Sequence, residues 1–172
     1  MLEKFPSKNN KINEEQEKLL INKASELAQE YHKDQLDKEG EKYFGHLERV
    51  AKKGKNYKEI IVGYLHDILE DTDIDRNILL EEFGEEIVEA LDLLNVRNYQ
   101  TYSEKDKKYI IKEEDKIKYL LGIRSNRLAL AVKLYDVLDN SNPERLARLD
   151  KETRERLEKK YKKYLEILLN KK

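Results

Sequence analysis

The spacing of apolar residues along the chain is helical almost throughout. No segment shows sustained alternation of apolar residues, many of them β-branched, with polar ones, which is the pattern of a half-buried strand. Leu, Glu and Lys dominate, and 172 residues contain only 6 Gly and 2 Pro to interrupt helices. The pattern predicts a single all-α domain of about eight helices. The face of the first helix is formed by Leu20, Ala24, Leu27, Ala28 and Tyr31.

The predicted helices follow one another through short loops. Asp75 can cap one of them, Gly84 can end it, and Ser125 or Asn126 can cap another. Pro143 suits a first helical turn. Residues 1–12 are predicted to be a flexible lead-in and 13–172 the domain. The helices are expected at 13–35, 46–53, 57–70, 76–83, 85–94, 104–121, 127–138 and 152–169.

Charge and cysteine content exclude several classes of protein. With 35 Lys and Arg against 36 Asp and Glu, the net charge is −1, so no overall positive field would attract nucleic acid or an anionic membrane. There is no cysteine for a disulfide or a thiolate metal site. No apolar run is long enough to span a bilayer, and no secretory segment follows Met1. We therefore expect a soluble cytoplasmic protein of undetermined oligomeric state.

The segment 63–73, GYLHDILEDTD, places ionisable side chains beside an apolar stripe. On a continuous helix His66 lies one turn before Glu70, and Asp67 one turn before Asp71. Imidazole and carboxylate suit a divalent ion such as Mn, Fe, Co or Zn, which could acidify a water or polarise a phosphoryl oxygen. Glu70 and Asp71 could then move protons. A solvated acidic helix face is the alternative interpretation.

Other residues could complete such a site. Asp136 lies in the most apolar predicted helix, where an uncompensated carboxylate would be costly. Either a metal ion or a pair with Lys133 would compensate it. His46 stands at the start of a predicted helix, just before an apolar run. His32 ends the first helix and is more simply explained as a structural or surface residue.

The order His46, His66–Asp67, Asp136 is the metal pattern of the HD phosphohydrolase superfamily. The surrounding sequence resembles the hydrolase domain of RelA/SpoT-type (p)ppGpp hydrolases, and is similar to small alarmone hydrolases. The similarity spans residues 24 to 169. It rests on the segments YHKDQ, GEKYFGHLERVA, YLHDILEDTD, EEFGEEIVEAL and AVKLYDVLDN, which occur in the family's order.

The resemblance implies an all-helical domain that binds one divalent ion, typically Mn²⁺. It implies that Glu70 and Asp71 position and activate the attacking water, and that Asn140 contacts the nucleotide. The implied reaction removes pyrophosphate from the ribose 3′ position of (p)ppGpp. No synthetase domain is expected, because the chain ends after the hydrolase region. The implied metal ligands are His46, His66, Asp67 and Asp136.

Some positions depart from the family pattern. Asp37 stands where an arginine often meets the nucleotide, Leu47 where a proline is usual, Tyr135 where a small residue is usual, and Asp139 where aromatic or basic residues are common. The parts that select a base or sugar have therefore changed. The alternatives are hydrolysis of another nucleotide (NADPH, a nucleoside phosphate or a cyclic nucleotide), a non-catalytic nucleotide-binding regulator, and a purely structural helical protein.

The sequence does not decide the role of several lysines or that of the charged segment 99–118. Several lysines could contact phosphate, although each could equally be a surface lysine: Lys33, Lys38, Lys42 and Lys133. The charged segment 99–118 could be a lid, an oligomer contact or a solvated helix, and the last is the simplest interpretation.

Overall fold

The computed structural model describes residues 12–170, so the predicted lead-in lies outside the described residues except for Ile12. The all-α prediction is confirmed, and eight of the ten α-helices between residues 12 and 170 have eight residues or more. No helix of the described part combines the length and apolar composition needed to cross a membrane. The helices are α1 (Glu14–Tyr31), α2 (Phe44–Ala51), α3 (Tyr57–Leu65), α4 (Ile68–Asp71), α5 (Arg76–Phe83), α6 (Glu85–Leu94), α7 (Glu113–Ser125), α8 (Arg127–Asn140), α9 (Pro143–Leu146) and α10 (Lys151–Leu169).

Polar side chains start the helices where the sequence places them. The Asp75 side chain accepts a hydrogen bond from the backbone N–H of Asn77, and α5 ends at Gly84, whose φ is 79°. Asn126, rather than Ser125, caps α8. Pro143 occupies the first turn of α9. These local predictions are confirmed.

The helix predicted at 57–70 is broken, and that prediction was wrong. α3 ends at Leu65 and α4 begins at Ile68, so His66 and Asp67 lie in the turn between them. Nδ1 of His66 lies 2.8 Å from the carbonyl oxygen of Gly63, a helical acceptor one turn back. His66 and Asp67 are therefore not on one continuous helix with Glu70 and Asp71.

The helix predicted at 104–121 begins later, at Glu113, so its first half was also wrong. Residues 101–110 instead form a hairpin of two antiparallel strands, β1 (Thr101–Ser103) and β2 (Lys108–Ile110). Tyr102 and Tyr109 face each other across the strands, and their ring centroids are 5.3 Å apart. This cross-strand aromatic pair stabilises the strands, whereas residues 104–112 carry no apolar stripe of helical spacing.

The core is centred on α3, which packs against α1, α2, α6 and α8. Ile61, Val62 and Leu65 of α3 are buried there. Gly63 allows α2 to approach closely, because a Cβ at this position would lie 2.6 Å from the Cα of Ala51. The close contact of these two helices brings His46 of α2 near His66, which directly follows α3.

Candidate active site

The two histidines of the predicted metal site and one aspartate meet at the junction of three helices. His46 comes from α2, His66 from the end of α3 and Asp136 from α8, and they are 2%, 2% and 5% exposed. Their potential ligand atoms all lie within 4.8 Å of one another. Oδ1 of Asp136 lies 3.3 Å from Nε2 of His46 and 3.8 Å from Nε2 of His66. One point in space is therefore accessible to all three.

Asp67, the fourth predicted ligand, joins this group from the turn before α4. Its Oδ2 lies 2.9 Å from Nε2 of His66 and 4.0 Å from Nε2 of His46. The hydroxyl of Tyr43 donates a hydrogen bond of 2.5 Å to the same oxygen. The residues that the sequence separates by up to 90 positions are thus brought together.

Both imidazoles are oriented for metal binding by what their Nδ1 atoms contact. Nδ1 of His66 faces the Gly63 carbonyl, which can only accept, so the proton is on Nδ1 and the lone pair on Nε2. Nδ1 of His46 faces a carboxylate oxygen of Asp139 at 2.8 Å, which has the same effect. Within the described residues, both Nε2 atoms are buried without a hydrogen-bond partner.

These two unpaired nitrogens indicate that a cation fits between the histidines. A buried polar atom without a partner is costly, and a divalent ion would satisfy both nitrogens at once. Two imidazole nitrogens and two carboxylates are a donor set suited to ions such as Mn²⁺, Fe²⁺ or Zn²⁺. The residues present therefore fit one divalent metal ion.

The electrostatics of the group favour added positive charge. Burial alone would raise the pKa of Asp136, but the positive charge of Lys133, and then that of His66 when it is protonated, hold it well below the usual value. Burial alone would lower the pKa of His66, yet Asp67 and Asp136 raise it well above 6.5. The site therefore attracts either protons or a metal ion, and the two compete for the same atoms.

Glu70 and Asp71 of α4 line the same cavity. Burial, together with the negative charge of Asp67, raises the pKa of Glu70 to about 7. Burial and Asp67 also raise the pKa of Asp71. A carboxyl group that titrates near neutrality can both accept and release a proton, which is what acid–base catalysis requires.

The cavity has a volume of about 530 Å³, within the range of pockets that hold small molecules. Carboxylates line the side of the predicted metal ligands, and Asp37 and Glu39 of the loop after α1 also belong to the lining. Basic and aromatic side chains from α7, α8, α9, α10 and the loop after α1 line the remainder. These are Lys38, Tyr119, Lys133, Arg145, Lys160, Tyr161 and Tyr164.

Most, but not all, of the predicted substrate-binding residues reach this cavity. Asn140 lines it and donates a hydrogen bond of 2.5 Å to Oδ1 of Asp136. Lys133 also lines it, and its Nζ lies 2.9 Å from Oδ2 of Asp136. The ion pair that was the alternative explanation for Asp136 is therefore present together with the cluster of potential metal ligands. Lys38 also lines the cavity, whereas Lys33 and Lys42 do not.

Sequence reasoning missed several residues of the site. The sequence marks Asp139 only as a departure from the family pattern. In the structure it is buried on α8, three residues after Asp136. Arg145 was not noticed; its guanidinium lies 2.9 Å from Asp37, the residue at the family's arginine position, and 2.5 Å from Asp139. The only sequence signal was the acidic residue at 139 inside an apolar helix.

His32 has the structural role considered for it. It is buried, and its Nδ1 lies 2.8 Å from the side-chain oxygen of Gln35. The amide of Gln35 in turn donates to the backbone carbonyl of Asp71, at 3.0 Å. His32 therefore stabilises the loop after α1 against α4 and is not part of the metal group, the cluster of His46, His66, Asp67 and Asp136.

The chain is similar to known nucleotide hydrolases. The guanosine-3′,5′-bis(diphosphate) 3′-pyrophosphohydrolase of Borreliella burgdorferi is 32% identical over 155 residues, which cover 87% of this chain and 22% of that protein. The protein of the same name from Aquifex aeolicus is 33% identical over 125 residues, 70% of this chain and 17% of that one. The chain thus spans about a fifth of the length of these curated relatives.

A solved structure and a family model agree with this similarity. The structure, of a metazoan ortholog of SpoT that hydrolyzes ppGpp, aligns with a TM-score of 0.67 over 87% of this chain and 85% of that one. At 20% identity this likeness shows the shared fold. The family model described as HD domain matches residues 24–161, which include the whole metal group. On this match and the fold together, the chain belongs to the HD domain family.

Proposed function

We propose that residues 13–172 form one HD domain and that it is a metal-dependent phosphohydrolase of nucleotides, with (p)ppGpp as the first substrate. The observation that carries the proposal is the pair of unpaired Nε2 atoms of His46 and His66, buried against the carboxylates of Asp67 and Asp136, which line a nucleotide-sized cavity. The Nε2 of His32 is also buried without a partner, so what a purely structural helix bundle would not need is the convergence of two such nitrogens with the carboxylate of Asp136.

One divalent ion, for which we propose Mn²⁺, would be held by His46, His66, Asp67 and Asp136. When bound, the ion supplies positive charge at the phosphoryl group and acidifies the attacking water. Tyr43 keeps Asp67 in place through its hydrogen bond, and Lys133 does the same for Asp136. These contacts orient the carboxylates before any substrate arrives.

The two acids of α4 are assigned the proton transfers. Glu70 accepts the proton of the attacking water, whose oxygen forms a bond to the phosphorus attached to the ribose 3′ oxygen. The bond between that phosphorus and the 3′ oxygen breaks, and Asp71 donates a proton to the departing oxygen. With ppGpp the products are GDP and pyrophosphate.

Substrate contacts are assigned to Asn140, Lys38 and Lys133, which line the cavity. Lys33, which is exposed and lies outside the lining, is assigned no contact. Because the chain has no cysteine, nothing in it requires an oxidising compartment, and we propose that the reaction takes place in the cytoplasm.

The test is product release from ppGpp in the presence of Mn²⁺, followed by anion-exchange chromatography of GDP and pyrophosphate. His66→Ala and Asp67→Ala should abolish turnover while the helical circular dichroism signal is retained. Asp92→Asn is the control, because Asp92 pairs with Arg76 away from the cavity. Full turnover by Asp67→Ala, or no products from the wild-type protein, would contradict the proposal.

A second candidate is the same chemistry on another nucleotide, such as NADPH, a nucleoside phosphate or a cyclic nucleotide. The observation that favours it is Asp37, whose carboxylate pairs with Arg145 where relatives often present an arginine to the ligand. Chromatography of the products released from ppGpp and from a panel of these nucleotides separates the two candidates, because ring opening of a cyclic nucleotide frees no phosphate. Release from none of them, with Mn²⁺ bound, would favour a non-catalytic nucleotide-binding regulator.

A further inference from the structure

Lysine amines from different elements converge on the cavity. Lys38 comes from the loop after α1, Lys133 from α8 and Lys160 from the C-terminal helix α10, and all line the same space. Lys160 is solvent-exposed as a residue, so it stands where the cavity opens. The sequence offers no reason to single it out, since it belongs to a run of lysines on α10.

The charges of these lysines are not all balanced. Lys133 pairs with Asp136 at 2.9 Å. Within the described part of the chain, Lys38 and Lys160 take part in no salt bridge. Nζ of Lys160 instead lies 5.3 Å from the ring centroids of both Tyr161 and Tyr164. The aromatic rings hold the amine at the cavity without neutralising it.

The positive charge of Lys160 is disfavoured where it stands. Removal of the amine from bulk water, and then the charges of Lys133 and Lys38, lower the pKa of Lys160 to about 8. Burial of its amine and the charge of Arg156 lower the pKa of Lys38 as well. Cations that repel each other in a cavity are stabilised when an anion binds between them.

The phosphoryl group that reacts must lie at the metal ligands, where Lys133 is already placed. Lys38 and Lys160 are not paired with any of those carboxylates, so they are free to bind a different anionic group. The cavity of about 530 Å³ exceeds what a single phosphoryl group would fill. Charge, position and space thus point to a second phosphate site.

We propose that Lys160, together with Lys38, binds the phosphate groups of the nucleotide that are not hydrolysed. The inference rests on the proposed function and makes the substrate class narrower: a nucleotide that carries phosphates at two separate positions. For ppGpp these groups are the 5′ diphosphate, which stays on the product GDP. A nucleoside with a single phosphate or a cyclic phosphate would leave this second site empty.

The experiment measures binding without turnover. Isothermal titration calorimetry follows GDP binding to the whole chain in EDTA, so that no metal ion contributes. Lys160→Gln should weaken GDP binding by about 10-fold or more, because a hydrogen bond to a charged group is lost. The matched control is Lys162→Gln, since Lys162 is exposed on the same helix and does not line the cavity. Its GDP affinity should equal that of the wild type.

Charge and folding are checked with Lys160→Arg, which keeps the positive charge and should retain most of the affinity. Turnover of ppGpp by Lys160→Gln should show a raised KM and a nearly unchanged kcat, because the lost contact is made equally before and during the reaction. Unchanged GDP affinity in Lys160→Gln, or no GDP binding by the wild-type protein, would overturn the inference.

The results also separate this inference from the proposed function. If GDP binding depends on Lys160 but ppGpp is not hydrolysed, the phosphate site stands and the proposed reaction falls. If ppGpp is hydrolysed but Lys160→Gln changes neither KM nor GDP affinity, the reaction stands and the phosphate site falls.

Discussion

Asp139 fixes the orientation of His46 from outside the metal group: a carboxylate oxygen of Asp139 lies 2.8 Å from Nδ1 of the imidazole. The same carboxylate accepts hydrogen bonds from Arg49 at 2.9 and 3.1 Å and from Arg145 at 2.5 Å. Although burial alone would raise the pKa of Asp139, the hydrogen bonds from His46 and Arg49 hold it far below the usual value. Asp139 is therefore ionised, and it increases the basicity of the nitrogen that faces the metal site.

Replacing this carboxylate should weaken metal binding although no ligand is removed. Loss of a partner that orients a ligand histidine typically costs about 10- to 100-fold in metal affinity, and we expect this range for Asp139→Asn. Equilibrium dialysis with Mn²⁺ measures it directly. Asp92→Asn is the matched control, because Asp92 also accepts a two-point contact from an arginine, Arg76, but lies away from the site. Equal affinities for the two variants would contradict the role of Asp139.

Glu70→Gln should separate proton transfer from metal binding. The amide keeps the size of the side chain but cannot take a proton from water, so kcat should fall by about 10²- to 10⁴-fold. Because Glu70 is outside the group of two histidines and two aspartates, the Mn²⁺ content of the purified variant should equal that of the wild type. Glu89→Gln, on the exposed side of α6, is the control for both measurements. A Glu70→Gln variant with wild-type kcat would remove this residue from the mechanism.

Local signals in the sequence predicted much of the fold, because they act over a few residues. The cap at Asp75 and the start at Pro143 depend only on neighbouring backbone groups. The break at His66 and Asp67 could not be predicted in this way. The helical spacing of apolar residues continues through these two positions. The break depends on the hydrogen bond from the His66 ring to the carbonyl oxygen of Gly63, and on the metal group to which His66 and Asp67 belong.

The hairpin at 101–110 was missed for a related reason. Its lysines and acidic residues favour a helix by intrinsic propensity. The contact between the rings of Tyr102 and Tyr109 across two strands stabilises the hairpin instead. Lys160 could not be singled out either. The buried residues of α10 could fix which way Lys160 points, but not that Lys38 and Lys133 line the same cavity.

The site also depends on the close approach of α2 and α3, which Gly63→Ala tests. The new Cβ would lie 2.6 Å from the Cα and 2.9 Å from the backbone nitrogen of Ala51, and backbone atoms cannot move aside easily. We expect the free energy of unfolding, measured with urea, to fall by about 1–3 kcal/mol. Displacement of α2 should also weaken Mn²⁺ binding, because His46 moves with it.

The control for this prediction is Gly45→Ala, also in a helix of this pair. Its Cβ would meet only Nη1 of Arg49, at 3.4 Å, and the hydrogen bonds from Arg49 to Asp139 are made by Nε and Nη2 instead. Alanine has a higher helix propensity than glycine, by up to about 1 kcal/mol. Gly45→Ala should therefore leave stability unchanged or raise it, and a loss equal to that of Gly63→Ala would show that contact with Ala51 is not the cause.

The affinity for GDP should depend on pH through Lys160. Its pKa is lowered from 10.5 to about 8, so the amine is charged below that pH and loses its charge as the pH rises through it. Because only the charged amine attracts phosphate, GDP affinity should fall above pH 8, by up to about tenfold per pH unit for one linked proton. Calorimetry between pH 7 and pH 9.5 in EDTA measures this fall.

Other groups that face Lys160 across the cavity also act on this titration. The carboxylates of Glu70 and Asp136 favour its charged form, and the amines of Lys38 and Lys133 oppose it. Glu70, with a pKa of about 7, gains most of its negative charge below pH 8, where it would itself weaken anion binding. Lys160→Arg separates these contributions, because arginine stays charged throughout while the other groups titrate as before. The fall above pH 8 should therefore be smaller in Lys160→Arg than in the wild type, and identical pH profiles would assign the dependence to the other groups.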